Sequence, residues 1–204
     1  MPDLVSPAGT LALAAVLGYL LGSIPFGVVI ARAFGLGDLR RIGSGNIGAT
    51  NVLRTGNRTA AALTLLLDAG KGGAAVLLAR ALAAEDAAQI AGAAAFAGHL
   101  WPVWLRFRGG KGVATFLGTL LVLAWPVGLA ACATWAVTAA ATRLSSLAAL
   151  VAAALAPVWA LLTGRPETAV LCIVLGGLIF ARHEANIRRL LAGTEPRIGA
   201  GKRP

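Results

Sequence analysis

Long apolar stretches follow one another along almost the whole chain, parted only by short linkers rich in Gly, Pro and Arg. They can be drawn as seven segments, at 10–33, 59–83, 87–103, 112–125, 127–141, 146–163 and 168–180. Of the 204 residues, 58% are hydrophobic and 13% charged, and the mean hydropathy is +0.80. A soluble domain carries about twice that share of charge. A soluble fold of this size could not cover itself with so few polar side chains. The pattern therefore predicts an all-α integral membrane protein, one transmembrane domain over 1–204, with 194–204 as a flexible tail.

The first segment is too long for a signal h-region and follows no basic n-region, so it reads as a true span. Cys132 and Cys172 lie within apolar segments, without disulfide or metal spacing. The net charge of +10 raises the question of nucleic acid, but its placement answers otherwise. The basic residues gather in alternate linkers: Arg32, Arg40, Arg41, Arg54 and Arg58; then Arg106, Arg108 and Lys111; then Arg143; then Arg182, Arg188, Arg189, Arg197, Lys202 and Arg203. The intervening linkers hold only Arg80 and Arg165. The positive-inside rule then puts the N-terminus outside and the C-terminus in the cytoplasm, as an odd number of spans requires. No nucleic-acid role is expected.

Segments 112–125 and 168–180 are shorter than the ~20 residues a helix needs to cross the hydrocarbon. Lys111 and His183 flank them on the basic side, which predicts a polar cavity sunk into that leaflet, with irregular backbone buried by protein. Runs such as Gly70-Lys71-Gly72-Gly73 and Gly176-Gly177 permit close helix approach.

Chemistry concentrates in three linkers on the basic side. The loop 44–54, Ser-Gly-Asn-Ile-Gly-Ala-Thr-Asn-Val-Leu-Arg, has the glycines of an anion nest and an arginine whose planar fork matches a phosphate. It lacks the Gly-Lys-Ser/Thr of a Walker loop. In the second linker Gly109, Gly110 and Gly112 bracket Lys111, leaving its ammonium free to approach a phosphate; Trp101 and Trp104 fit an interfacial belt. In the third, His183 and Asn186 are three apart and share a helix face, so together they can hold a hydroxyl and steer its proton. Ser145 and Ser146 can donate to an anion or cap the next helix. Within the spans, His99 reads as an interhelical hydrogen bond. Asp68 and Lys71 read as an internal ion pair or, alternatively, as the coupling groups of a transporter.

Taken together, these blocks resemble the bacterial acyl-phosphate:glycerol-3-phosphate acyltransferase family. The resemblance covers almost the whole chain and includes Gly22-Ser23-Ile24-Pro25-Phe26-Gly27 and Asp68-Ala69-Gly70-Lys71-Gly72. In the third block, Glu184 stands where a basic or polar residue is often found. The resemblance implies a seven-span inner-membrane enzyme with its site facing the cytoplasm. It implies transfer of a fatty acyl group from acyl phosphate to the sn-1 hydroxyl of glycerol 3-phosphate, giving lysophosphatidic acid and phosphate, with no metal and no cofactor. The His-x4-Asp pair of the other large acyltransferase class is missing after both His99 and His183. On this reading Ser44, Gly45, Asn46, Gly48, Ala49, Thr50 and Asn51 cradle the acyl phosphate, and Arg54, Lys111 and Ser146 help bind the phosphates. His183 and Asn186 then lie near the glycerol end. Either His183 or a substrate phosphate takes the hydroxyl proton. A monomer, in contact with membrane lipid, is expected.

Overall fold

In the computed structural model, which describes residues 2–199, every regular element is a helix and no strand occurs among the described residues. The order is α1 (Ala8–Gly22), α2 (Phe26–Ala33), α3 (Ala49–Leu53), α4 (Arg58–Leu82), α5 (Glu85–Leu100), α6 (Val113–Leu123), α7 (Trp125–Thr142), α8 (Ser145–Leu162), α9 (Pro166–Arg182) and α10 (Glu184–Leu191). All seven apolar segments fall on helices, but the first is two helices rather than one: Pro25 lacks an N–H and stops the pattern, so α1 and α2 meet at a break over 23–25. Judged by length and apolarity alone, 8–33, α4 and α8 are long enough to cross a membrane, and α9 with α10, bent by 66°, forms a fourth candidate.

The interior is apolar, as in a soluble bundle, with Phe96, Phe116, Leu100 and Leu120 fully buried, but the exterior is apolar too. Large aliphatic side chains point outward, with Leu66 66% and Leu162 72% exposed, as lipid-facing positions would be. The inside is rich in Ala and Gly. A methyl group on Gly22 would overlap the Ala95 backbone, and one on Gly118 the Ala69 backbone, so α1 meets α5, and α4 meets α6, at backbone distance.

The linkers gather at two ends. At one end Asp86 accepts from the Val5 and Ser6 amides (2.9 and 2.8 Å) and the Ser6 hydroxyl (2.7 Å). There Arg80 donates to both Glu85 carboxylate oxygens (2.8 and 2.9 Å) and to the carbonyls of Val122 and Leu123. At the other end Thr50 meets Ser145 (3.1 Å), Arg182 reaches the 109–110 turn, and Ile198 bonds the Arg143 carbonyl (2.7 Å). The three chemical linkers therefore lie together.

Candidate active site

The first wall is built from the loop between α2 and α4. Gly27 lets this loop pack on α2, since a Cβ there would strike the Ile47 carbonyl. Asn51 is the hub. Buried to 1% exposure, it donates to the carbonyls of Leu39 (2.9 Å) and Ile42 (3.0 Å) and accepts from the Ser44 amide (3.1 Å). Arg54 Nη1 donates to the same Asn51 oxygen at 3.4 Å. The Asn51 amide is thus committed to the loop, and it places Ser44 and Arg54. Gly45, at φ +69°, makes the turn from which Ser44 and Asn46 face inward. No side chain caps α3, and its first-turn amides, which no intrahelical carbonyl can satisfy, border the cavity at Ala49 and Thr50.

The second wall is the 101–112 linker. After α5 the chain folds back on itself: the Gly109 amide donates to the Leu100 carbonyl and the Gly110 amide to that of His99, both at 3.1 Å. From outside, Arg182 grips the same turn, Nε to the Gly110 carbonyl (3.2 Å) and Nη2 to that of Gly109 (3.1 Å). Gly112, at φ +80°, turns the chain into α6. Lys111, between these anchors, donates its ammonium to Asn186 Oδ1.

The third wall joins α9, α10 and the following residues. His183 Nδ1 lies 2.8 Å from the Ile179 carbonyl. A carbonyl only accepts, so Nδ1 carries the hydrogen and Nε2 is left as an acceptor. Burial pushes the His183 imidazole down to about 4, the Lys111 and Arg182 cations adding to it against the Ile179 carbonyl and Glu195, so it is neutral at physiological pH. Burial likewise brings Lys111 down to about 8; Glu195 opposes this, while Arg189, Arg54 and Arg182 add to it. Glu195 accepts from Ser146 Oγ (2.7 Å), Asn186 Nδ2 (2.6 Å) and Arg189 Nε (2.7 Å). Burial raises its carboxyl, but these donors outweigh that and hold it below the usual range. Of the tail 194–204, residues 194–199 are described: Glu195, Pro196 and Ile198 close over the site, and 200–204 lie outside the described residues.

These walls enclose a cavity of about 370 Å³. Ser44, Asn46, Gly48, Ala49, Thr50, Asn51, Arg54, Lys111, Ser146, His183 and Asn186 all line it; Gly45 alone of the expected residues does not. Beyond the polar mouth, Leu65, Leu117, Leu121, Cys132, Trp135 and Ala149 extend the lining as an apolar slot between α4, α6, α7 and α8. Glu195 belongs to the third chemical block but its place in the sequence assigns it no role, while Arg182 and the pair Asp68–His99 reach this site through partners remote in the chain. Glu195 left one signal, an acid two residues after a helix-ending glycine in a basic segment.

A cation-rich polar mouth opening into an apolar slot, within a bundle faced by leucines, defines an integral membrane protein built for an anionic, lipid-like ligand. The comparisons with known proteins agree. The glycerol-3-phosphate acyltransferase family model matches residues 12–193. A protein named glycerol-3-phosphate acyltransferase from Cereibacter sphaeroides is 69% identical over 199 residues, covering 98% of this chain and 95% of the relative. One of the same name from Dinoroseobacter shibae is 64% identical over 203 residues, with both chains fully covered. The crystal structure of PlsY (YgiH), an integral membrane glycerol 3-phosphate acyltransferase, in its glycerol 3-phosphate form is 40% identical. It superposes with a TM-score of 0.88, covering 94% of this chain and 96% of that one. The lysophosphatidic acid form gives 0.84 at 37% identity, with the same coverage. The chain belongs to the glycerol-3-phosphate acyltransferase family.

Proposed function

We propose that this chain transfers a fatty acyl group from acyl phosphate to the sn-1 hydroxyl of glycerol 3-phosphate, releasing lysophosphatidic acid and phosphate. The observation that carries this reading is one continuous cavity with two chemistries: a mouth holding Arg54, Lys111, Ser146 and Asn186, and a slot lined by Leu, Ala and Trp side chains. Both substrates bring a phosphate and one brings a long chain, so each finds its complement. The glycerol 3-phosphate and lysophosphatidic acid bound by the crystallised relative fit the same assignment.

The hydroxyl oxygen attacks the carbonyl carbon, the bond from that carbon to the phosphate oxygen breaks, and phosphate leaves. An acyl phosphate is a mixed anhydride with a good leaving group. Holding the two substrates in register and stabilising charge at the phosphate with Lys111 and Arg54 suffices, without a covalent acyl-enzyme. His183 Nε2 accepts the hydroxyl's hydrogen bond and aims it. Either His183 or a substrate phosphate oxygen takes the proton. Ser44, Asn46 and the amides at 48–50 hold the acyl phosphate headgroup.

In the same proposal the bundle crosses the bacterial inner membrane seven times, with α1–α2, α4, α5, α6, α7, α8 and α9 as spans. It acts as one domain and as a monomer. The cavity faces the cytoplasm, where the basic linkers belong. Purified protein given labelled glycerol 3-phosphate and palmitoyl phosphate should release phosphate and form a labelled lysolipid in equal amounts. Absence of both products would sink the reading.

A further inference from the structure

Asp68, Lys71 and His99 are 2%, 3% and 4% exposed, within spans, and the chemistry above uses none of them. Charged groups at such depth are costly and are retained where they do something. The Asp68 carboxylate lies 2.9 Å from the Lys71 ammonium, which also donates to the Ile24 carbonyl freed by the break between α1 and α2 (2.8 Å). The same carboxylate oxygen faces His99 Nδ1 at 3.5 Å, and Asp68 and His99 both border the cavity that holds Lys111. The far edge of the His99 ring presses against Gly110: a Cβ there would overlap Nε2 and crowd Cδ2 and Cε1. The turn cannot sink further, because the ring occupies the space beneath it. It is tied in place by the Gly109 and Gly110 amides, which donate to the Leu100 and His99 carbonyls, and by Arg182, which donates to the Gly109 and Gly110 carbonyls.

Resting on the acyl-transfer reading, we propose that His99, beside Asp68, is a positioning residue for Lys111: its ring is the wedge against Gly110 that sets where the lysine ammonium stands. Lysine is a compact charge on a flexible stem, so its reach is defined only as well as its backbone is anchored. A misplacement of about 1 Å in a catalytic group can cost a hundredfold in rate.

The test uses full-length purified protein with glycerol 3-phosphate and palmitoyl phosphate. An inactive wild type fails the acyl-transfer reading. An active wild type with undisturbed His99 variants fails this inference alone. His99→Ala should lower kcat at least tenfold while the protein still unfolds cooperatively on heating. His99→Gln, whose amide reaches the Nε2 position, should recover most of the rate. His99→Asn reproduces only the Nδ1 end and should not. Gly110→Ala should be impaired by collision with the ring, and in the His99→Ala background the same methyl should restore activity by filling the vacated space. Wild-type kcat in His99→Ala, equal loss in the Asn and Gln variants, or losses that multiply in the double variant would each overturn the proposal. If His99→Ala does not fold, the Asn–Gln comparison decides.

Discussion

Burial acts on the two titratable groups at the reacting end in the same direction, with different consequences. Lys111, brought down to about 8, keeps its charge at neutral pH, whereas His183, brought down to about 4, has none. For a cation with a lowered pKa the charge is present below that value and lost above it, so phosphate binding by Lys111 should fade as pH rises through about 8. We expect kcat/KM for glycerol 3-phosphate to show an alkaline limb near pH 8. Lys111→Arg, whose guanidinium stays charged, should remove that limb even if it lowers the plateau; a limb unchanged in the variant would clear Lys111 of the assignment. Lys111→Ala and Asn186→Ala should each cut turnover tenfold or more, about 1.4 kcal/mol of barrier or above, read in a steady-state phosphate-release assay. These residues were legible in the sequence because each belongs to a compact local pattern: a lysine bracketed by glycines, a histidine and asparagine one helical turn apart. Glu195 and His99 were not, since what matters about them is contact with Ser146 and Gly110, partners that only the folded chain brings near.

The helices turn local sequence into placement. Asn57 caps α4 by accepting from the Ala60 amide (2.9 Å), Pro166 opens α9, and Arg143 ends α7 at φ +60°. The linkers expected from Gly, Pro and Arg do separate helices. The break has a local cause in Pro25, but what makes it tolerable was not legible, because it lies in α4: Lys71 satisfies the Ile24 carbonyl at the break. Helix α6, with 11 residues, spans about 16 Å, half the hydrocarbon thickness of about 30 Å. In the proposed seven-span arrangement the 101–112 linker would make up the remaining depth beside α6. Contacts between helices depend on the missing side chains of glycine. Gly22→Val and Gly118→Val place branched side chains where the Ala95 and Ala69 backbones lie. Each should destabilise the bundle by about 1–3 kcal/mol, seen as a lower unfolding temperature in detergent. The same substitution at Gly9 or Gly177, where nothing lies within 4 Å, should leave that temperature nearly unchanged.

At the scale of the molecule, the structure has two dissimilar ends, and the proposed reaction requires a particular one to face the cytoplasm. One end carries the N-terminal residues tied to Asp86, with Arg80 paired to Glu85. The other carries Arg54, Lys111, Arg182, Arg189 and the cavity between them. Charge alone favours the basic end inside, and so does chemistry, since glycerol 3-phosphate is a charged solute that does not cross the hydrocarbon unaided. Leu4 and Leu191, 68% and 85% exposed, mark opposite ends. In a background with Cys132 and Cys172 changed to Ala, Leu4→Cys should react with a membrane-impermeant maleimide in spheroplasts. Leu191→Cys should stay unlabelled until the membrane is permeabilised. The reverse pattern would place the cavity on the outer face, away from its phosphorylated substrates, and would defeat both the orientation and the acyl-transfer reading that depends on it.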